Sequence, residues 1–522
     1  MSARTWLGRV GRTVTGVGVV VLAAGAVLGA DRLPAPALVD DLPAVVAVAP
    51  PRSTLVCAGP LILPDDTGAG DSAFDPTPVD PVARVDALTV AGPDGGAAAG
   101  DVVDLGSGDV AAELAPGGPA AAVAVPDPGA PLVVRADPVD GEPARVAATA
   151  SSLVTAGDLR GLSAATCQRP GVDLWLVGGS TALESSASLV LANPGTTASD
   201  VDVELWGPSG PVELAGGARQ VVAPGAERVL VLPAVAAEQR RVVVHVVASG
   251  GSVTAHLQDS RLNGFTPAGT DLVVPGQPPA ARQVVPGISV LGSAVGDESQ
   301  AVLRVLAPGT AAASVRLTML GADGVTALPG TDELELAPGE VTDVPLGGLP
   351  AGSWTAVVDA DVPVVAAATT TRPGLPGPLD DTPVLERAWS AAVAPGGGGL
   401  VAVPGGVSAT VLVSALADGD DVADGRPVDA VLRTFDADGD PLDEQDLALA
   451  PGSTLTVPLA PGVVGVELAV GTEADDAVLA AWAVVLTAEN PDGALLSVLL
   501  PAADAPTGSQ VRVRAGTRLG LG

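Results

Sequence analysis

The tripeptide Ala-Pro-Gly stands at Ala223-Pro224-Gly225, Ala337-Pro338-Gly339 and Ala450-Pro451-Gly452, at successive offsets of 114 and 113. Each copy closes one short run of aliphatic and β-branched residues and opens another. Proline followed by glycine between two such runs signals a tight turn between strands. Other stretches keep nearly the same spacing: Asn193-Pro194-Gly195 matches Ala307-Pro308-Gly309, and VTAHLQDSR (253–261) matches VVAAATTTR (364–372) and LAAWAVVLT (479–487). Anchors that hold one offset across several strands mean an array of β-domains. A repeat of about 110 residues, room for about seven short strands, predicts all-β tandem sandwiches of immunoglobulin or fibronectin-III type. Propeller blades, which repeat every 40–50 residues or so, are excluded by that length.

Composition supports many thin cores over one large one. Hydrophobic residues make up 47% of the 522, yet aromatics only 2%, so the excess is alanine and valine, of modest volume. The 66 glycines and 49 prolines follow no collagen-like period and therefore belong to turns. Lysine and tyrosine are absent. A net charge of −35 with no basic stripe excludes nucleic acid as a partner. The carboxylates, scattered through turns, read as solubilising charge, with loose divalent-cation binding the weaker alternative.

Arg4, Arg9 and Arg12 precede an uncharged run over 13–30, so residues 1–31 read as a signal peptide or membrane anchor, short for a span. That predicts a cell-membrane protein with an N-terminal transmembrane or signal helix and an extracytoplasmic array, or a secreted one if the segment is cleaved. Residues 32–50 form a Pro/Ala-rich spacer, and the sandwiches are expected at 51–170, 171–280, 281–385 and 386–505. A basic, Gly-rich tail, 506–522, carries Arg512, Arg514 and Arg518 and reads as a last strand with a loose end.

Both cysteines, Cys57 and Cys167, lie at the two ends of the divergent first domain. In an exported chain they predict a disulfide, the alternative being two buried thiols. Closing a loop of about 110 residues would stabilise by roughly 4–5 kcal/mol in the chain-entropy model.

The cysteine contexts TLVCAGP and ATCQRPG, with WLVGGSTALESSASLVLANPG and SRLNGFTPAGTD, resemble an uncharacterised family of exported, membrane-anchored envelope proteins of high-GC Gram-positive (actinobacterial) bacteria. The resemblance covers most of the chain. It implies location and domain plan, and no activity, cofactor or catalytic residue.

The chain has two histidines, His245 and His256, on either side of Gly250-Gly251. If Gly250-Gly251 make a two-residue hairpin turn, His245 and His256 stand opposite each other with Cβ atoms about 5 Å apart. Such a pair could share a transition metal or respond to pH. Against this, the repeat places Ala367 and Trp482 where His256 stands, which marks a packing position, and alternation puts Asp259 on the other face. No metal is expected. Asp436, Asp438 and Asp440 resemble the start of a calcium loop, but Pro441 and Leu447 occupy its required glycine and glutamate positions, so an acidic turn is expected; the alternative is a lone calcium ion, with Asp418, Asp420 and Asp421 as neighbours if the loops converge.

Arg261 and Arg372 hold one repeat position and predict contacts at domain junctions, or recognition of an acidic glycan. Trp175, Trp206, Trp354, Trp389 and Trp482 read as core tryptophans, with Trp206 and Trp354 also candidates to line a ligand groove beside the arginines. There is no G-x-S-x-G elbow, and the absence of lysine removes Walker A loops, Schiff bases and Ser-Lys dyads. These residues predict a non-catalytic envelope scaffold without cofactor. The alternative is an accessory protein that binds wall or surface polysaccharide. The partner is thus an envelope protein or a polysaccharide.

Overall fold

A computed structural model describes residues 16–22, 24–25, 44–47, 49–62, 77–92, 95–297, 299–328, 333–377, 381–396, 398–416, 427–471, 479–502 and 510–513. The three Ala-Pro-Gly sites form one kind of turn. The residue after each glycine donates its N–H to the alanine carbonyl, Ala226 to Ala223 at 3.2 Å, Glu340 to Ala337 at 3.4 Å and Ser453 to Ala450 at 3.1 Å. Proline fills the second position, and glycine the third with φ of 62°, 74° and 73°. That is a type II turn, whose third residue must be left-handed. Each glycine N–H then reaches back to the end of an earlier strand, to the carbonyls of Asn193, Ala307 and Ala415 at 2.9, 2.8 and 2.8 Å.

Strands on either side of such turns build antiparallel two-sheet sandwiches, four along the chain. In the first, one sheet runs Ser53–Cys57, Leu132–Ala136, Gly100–Asp104, Val110–Leu114, and the other Ala120–Pro126, Val82–Val90, Arg145–Val154, Gly161–Thr166. Counted along the chain, these orders are 1-6-3-4 and 5-2-7-8. The fourth sandwich, Gly399–Ala402 to Leu495–Leu499, repeats them, and the second, Asp173–Val177 to Thr266–Val273, adds one strand, Arg219–Val222. The third, Ala280–Val290 to Pro383–Ala391, also adds one strand, Leu334–Leu336, and the sixth and seventh strands of the pattern are there one 25-residue strand, Gly352–Pro376, that leaves one sheet and enters the other. Each sandwich is closed by the same bridge between its first strand and the residues after its last: Val56 with Gln168, Trp175 with Gly276, Val284 with Val393, Leu400 with Ala502. The first copy reinforces the bridge covalently, through the disulfide Cys57–Cys167.

Three expectations need correction. The strand orders differ from the immunoglobulin ABED/CFG arrangement, so the sandwiches are β-sandwiches of another topology. Strand Pro383–Ala391, expected partly in the fourth domain, pairs along Gly352–Pro376 and completes the third. Gly250-Gly251 is a crossover and not a hairpin: Val243–Ser249 lies in one sheet of the second sandwich and Thr254–Asn263 in the other. His245 therefore stands opposite Trp175 and Glu204, and His256 opposite Val190.

Inside each sandwich lies a core of small aliphatic side chains, and smaller apolar seams join neighbours. Ala192 meets Val103 and Val133 between the first and second, Trp206 meets Val341 between the second and third, and Ala388 meets Val498 between the third and fourth. Leu88 and Ala147 meet Leu400 and Phe435 between the first and the fourth. The four sandwiches close a ring.

At its centre the eighth strands pack side by side. Two buried carboxylates stitch them together. Glu386 accepts the backbone N–H of Leu162 at 2.9 Å and of Leu496 at 3.1 Å, linking three sandwiches. Asp271 accepts Trp389 N–H at 2.7 Å and the Ser497 hydroxyl at 2.9 Å. Dehydration pushes both carboxyls up to about 8, and at Glu386 the two backbone N–H donors and Arg160, 3.7 Å away, offset it only in part.

A separate unit comprises the two chain ends, where Ala44–Ala47 pairs antiparallel with Gln510–Val513. The expected spacer thus contains a strand, and the expected last strand of the tail is its partner. Residues 16–22 and 24–25 are helical, and no helix among the described residues is long and apolar enough to cross a membrane. The rest of the expected anchor, Arg514 and Arg518, and the acidic neighbours Asp418, Asp420 and Asp421 lie outside the described residues.

Candidate functional site

The seam between the second and third sandwiches opens into a polar cavity of about 390 Å³. Four arginines line it, Arg240, Arg261, Arg304 and Arg387, against three carboxylates, Glu184, Asp259 and Asp343. In a chain of net charge −35, this is an inversion of sign.

Two of the arginines are structural. Arg304, on strand Val302–Leu306, grips Asp343 through Nε at 2.8 Å and Nη2 at 3.1 Å, and its Nη1 donates to the Gly179 carbonyl at 2.7 Å. It thereby staples the two sandwiches, and its guanidinium lies 5.2 Å from the centre of the Trp389 ring. Arg387 donates Nε–H to the Ala268 carbonyl at 2.9 Å. Its backbone presses on Gly269, whose φ of 100° and 2.7 Å clearance to the Arg387 nitrogen admit no side chain. Burial pushes the Arg387 guanidinium down to about 10, Arg261 and Arg304 add to that, and Asp259 and Asp343 oppose it. A bound anion would relieve this repulsion.

The other two are free to bind. Neither the Arg261 nor the Arg240 guanidinium has a hydrogen-bond or ion-pair partner among the described residues. On the cavity wall, Asp259 accepts from the Trp389 indole at 3.0 Å with Oδ2, while its Oδ1 is buried without a partner. The Thr369 hydroxyl is likewise buried and unpartnered. Guanidinium forks match carboxylate or phosphate, and an orphan carboxylate oxygen takes a hydroxyl or amide donor. The wall is therefore complementary to an anion that also bears hydroxyl groups.

Of the residues singled out in the sequence, Arg261 reaches this cavity, and Asp259 and Trp389 line it too, although the sequence marks neither as a ligand contact. Arg372, the repeat equivalent of Arg261, donates to Ser289 Oγ at 2.7 Å and stands opposite Glu386 near the ring centre. Trp206 and Trp354 are buried and do not line this cavity: Trp206 stacks on Trp175 with centroids 5.3 Å apart, and Trp354 donates to the Pro350 carbonyl at 3.2 Å. His245 is clamped between Glu204 at 2.9 Å and Asp173 at 3.0 Å and stacks on Trp175 at 4.0 Å. His256 sits between the first and second sandwiches in a crevice of about 10 Å³, and dehydration pushes it down to about 4. No group of three or more metal-ligating side chains occurs among the described residues. Asp436 spends a carboxylate oxygen on the N–H groups of Asp438 and Asp440, both at 2.9 Å, which closes an acidic turn. Arg240, Arg304 and Arg387 carried no sequence signal, and Asp259 stood out only as a neighbour of His256, because the junction that gathers them joins strands far apart in the chain.

No curated protein matches the chain. A crystal structure of Thermotoga maritima 1070 is similar over 22% of this chain and 93% of that one, at 20% identity and a TM-score of 0.17. A family model, described as a family of unknown function (DUF5719), matches residues 120–460. That stretch takes in more than half of the 522 residues, so the chain belongs to DUF5719.

Proposed function

We propose that this chain is a non-catalytic binding protein of the cell envelope, whose ring of sandwiches holds the arginine cavity as a receptor for an acidic saccharide. The observation that carries the reading is the pairing of two unpartnered arginines, Arg240 and Arg261, with the orphan polar atoms Asp259 Oδ1 and Thr369 Oγ1 on one cavity wall. The arginines serve a uronate carboxylate and the orphan atoms serve ring hydroxyls. The absence of lysine, and histidines that are each committed to packing or ion pairs, support a role without chemistry. The envelope assignment is supported by the arginine-flanked apolar run at 13–30, and cell fractionation tests it.

Isothermal calorimetry with oligouronates and with their neutral, carboxyl-reduced counterparts tests the ligand. Binding of the acidic series alone, weakened at least tenfold by Arg261→Ala and unchanged by the distant Arg433→Ala, is the expected result. Equal binding of both series, or no binding to either, sinks the reading. A scaffold for an envelope protein is the second reading, favoured by the closed ring itself, whose seams fix four sandwiches in one arrangement.

A further inference from the structure

A second cavity, of about 490 Å³, lies where the chain leaves each eighth strand. All four sandwiches contribute the equivalent segment to its wall: Thr166–Arg169, Val274–Gly276, Ala392–Gly396 and Leu500–Ala502. It therefore sits on the axis of the ring, partly open, and its lining is mostly apolar. Its volume falls in the range of small-molecule sites, roughly 300–1,000 Å³. Alanine, valine, proline and leucine dominate the wall, and Arg169 is the one charged residue among the described residues that line it.

Two polar atoms of residues on this wall have no partner among the described residues. Trp482, only 1% exposed, has no acceptor for its Nε1–H, and the Gln168 Oε1 is buried without a donor. A buried indole N–H ordinarily finds an acceptor, because leaving it unmade costs on the order of 1–3 kcal/mol. No described residue supplies one here, although the position is fixed by packing in the core of the fourth sandwich.

We infer that the axial cavity is a second binding site, for an apolar small molecule with one hydrogen-bond-accepting group, such as an ester or ketone, that takes the Trp482 N–H. The apolar body fills the wall built by the four equivalent segments. An ionised head would gain little, since a single arginine is present. The site is independent of the arginine cavity in residues and in ligand chemistry.

Two variants of the full chain test it, with methyl decanoate, below its solubility limit, as the probe. Trp482→Phe keeps the ring and deletes the N–H. Gly396→Leu fills the cavity, and Gly396 has no atom within 4 Å of an added Cβ, so the fold accommodates the change. The expected result is saturable binding by the wild type, followed by calorimetry or tryptophan fluorescence, weakened about five- to tenfold in Trp482→Phe and abolished in Gly396→Leu. Absence of saturable binding, or equal binding by wild type and Gly396→Leu, overturns the site. Unchanged affinity in Trp482→Phe overturns the role of the indole, and if that variant fails to fold, Gly396→Leu still decides.

Discussion

Trp389 donates its indole N–H to Asp259 Oδ2 at 3.0 Å, across the seam between the third sandwich and the second. Its ring belongs to the core of the second sandwich although its strand completes the third. The residue is an anchor lent by one domain to another. Trp389→Phe keeps most of the packing and leaves a second oxygen of buried Asp259 without a partner, so urea denaturation should show a loss of about 1–3 kcal/mol. A loss within error would mean that the bond contributes nothing at the seam.

The ring centre sets a pH dependence. Asp271 and Glu386, both pushed up to about 8 by burial, bind protons in the folded state that the unfolded chain releases near pH 4. Their contribution is complete below pH 4 and is lost as pH rises to about 8. His256 acts in the opposite sense, since its folded value of about 4 lies below 6.5, and its effect is confined to that window. Between pH 6.5 and 8 these two carboxyls set the sign of the change, and the melting temperature should fall by roughly 2–4 °C for each kcal/mol lost. Asp271→Asn should flatten the slope, and a slope unchanged in that variant would assign it elsewhere.

The disulfide Cys57–Cys167 closes a loop of sequence separation 110 beside a bridge that the other three sandwiches make without it. Paired replacement by alanine should destabilise the first sandwich by roughly 4–5 kcal/mol on the chain-entropy model. Calorimetry that resolves the sandwiches should show the fall in the first alone.

Gly452 holds φ at 73° in its turn. Gly452→Ala should cost about 1–2 kcal/mol, the penalty of a left-handed non-glycine residue. A neutral result in chemical denaturation would show that the turn relaxes.

Sequence reading reached what is local and repeated. The Ala-Pro-Gly turns, the β-sandwich repeat and the cysteine pair follow from residue type and spacing. The crossover at Gly250-Gly251 did not, because a glycine pair turns the chain equally well within a sheet or between two, and only the partners of His245 and His256 distinguish them. Nor did the ring, since Asp271 and Glu386 look in the sequence like the surface carboxylates around them. Their burial is decided by strands from other sandwiches. The same holds for the cavity, where Arg261 was found by its repeat position and its neighbours came from the seam.

Closure of the ring also orders events in time. The face bearing Leu88, Val90, Ala120 and Ala147 is covered by Leu400, Ala402, Phe435 and Ala502, so more than half of the chain must be synthesised before that face has a partner. Contacts of such separation form late, and the waiting surface is apolar. A nascent chain arrested before the fourth sandwich therefore presents a chaperone-binding surface that the finished molecule has lost.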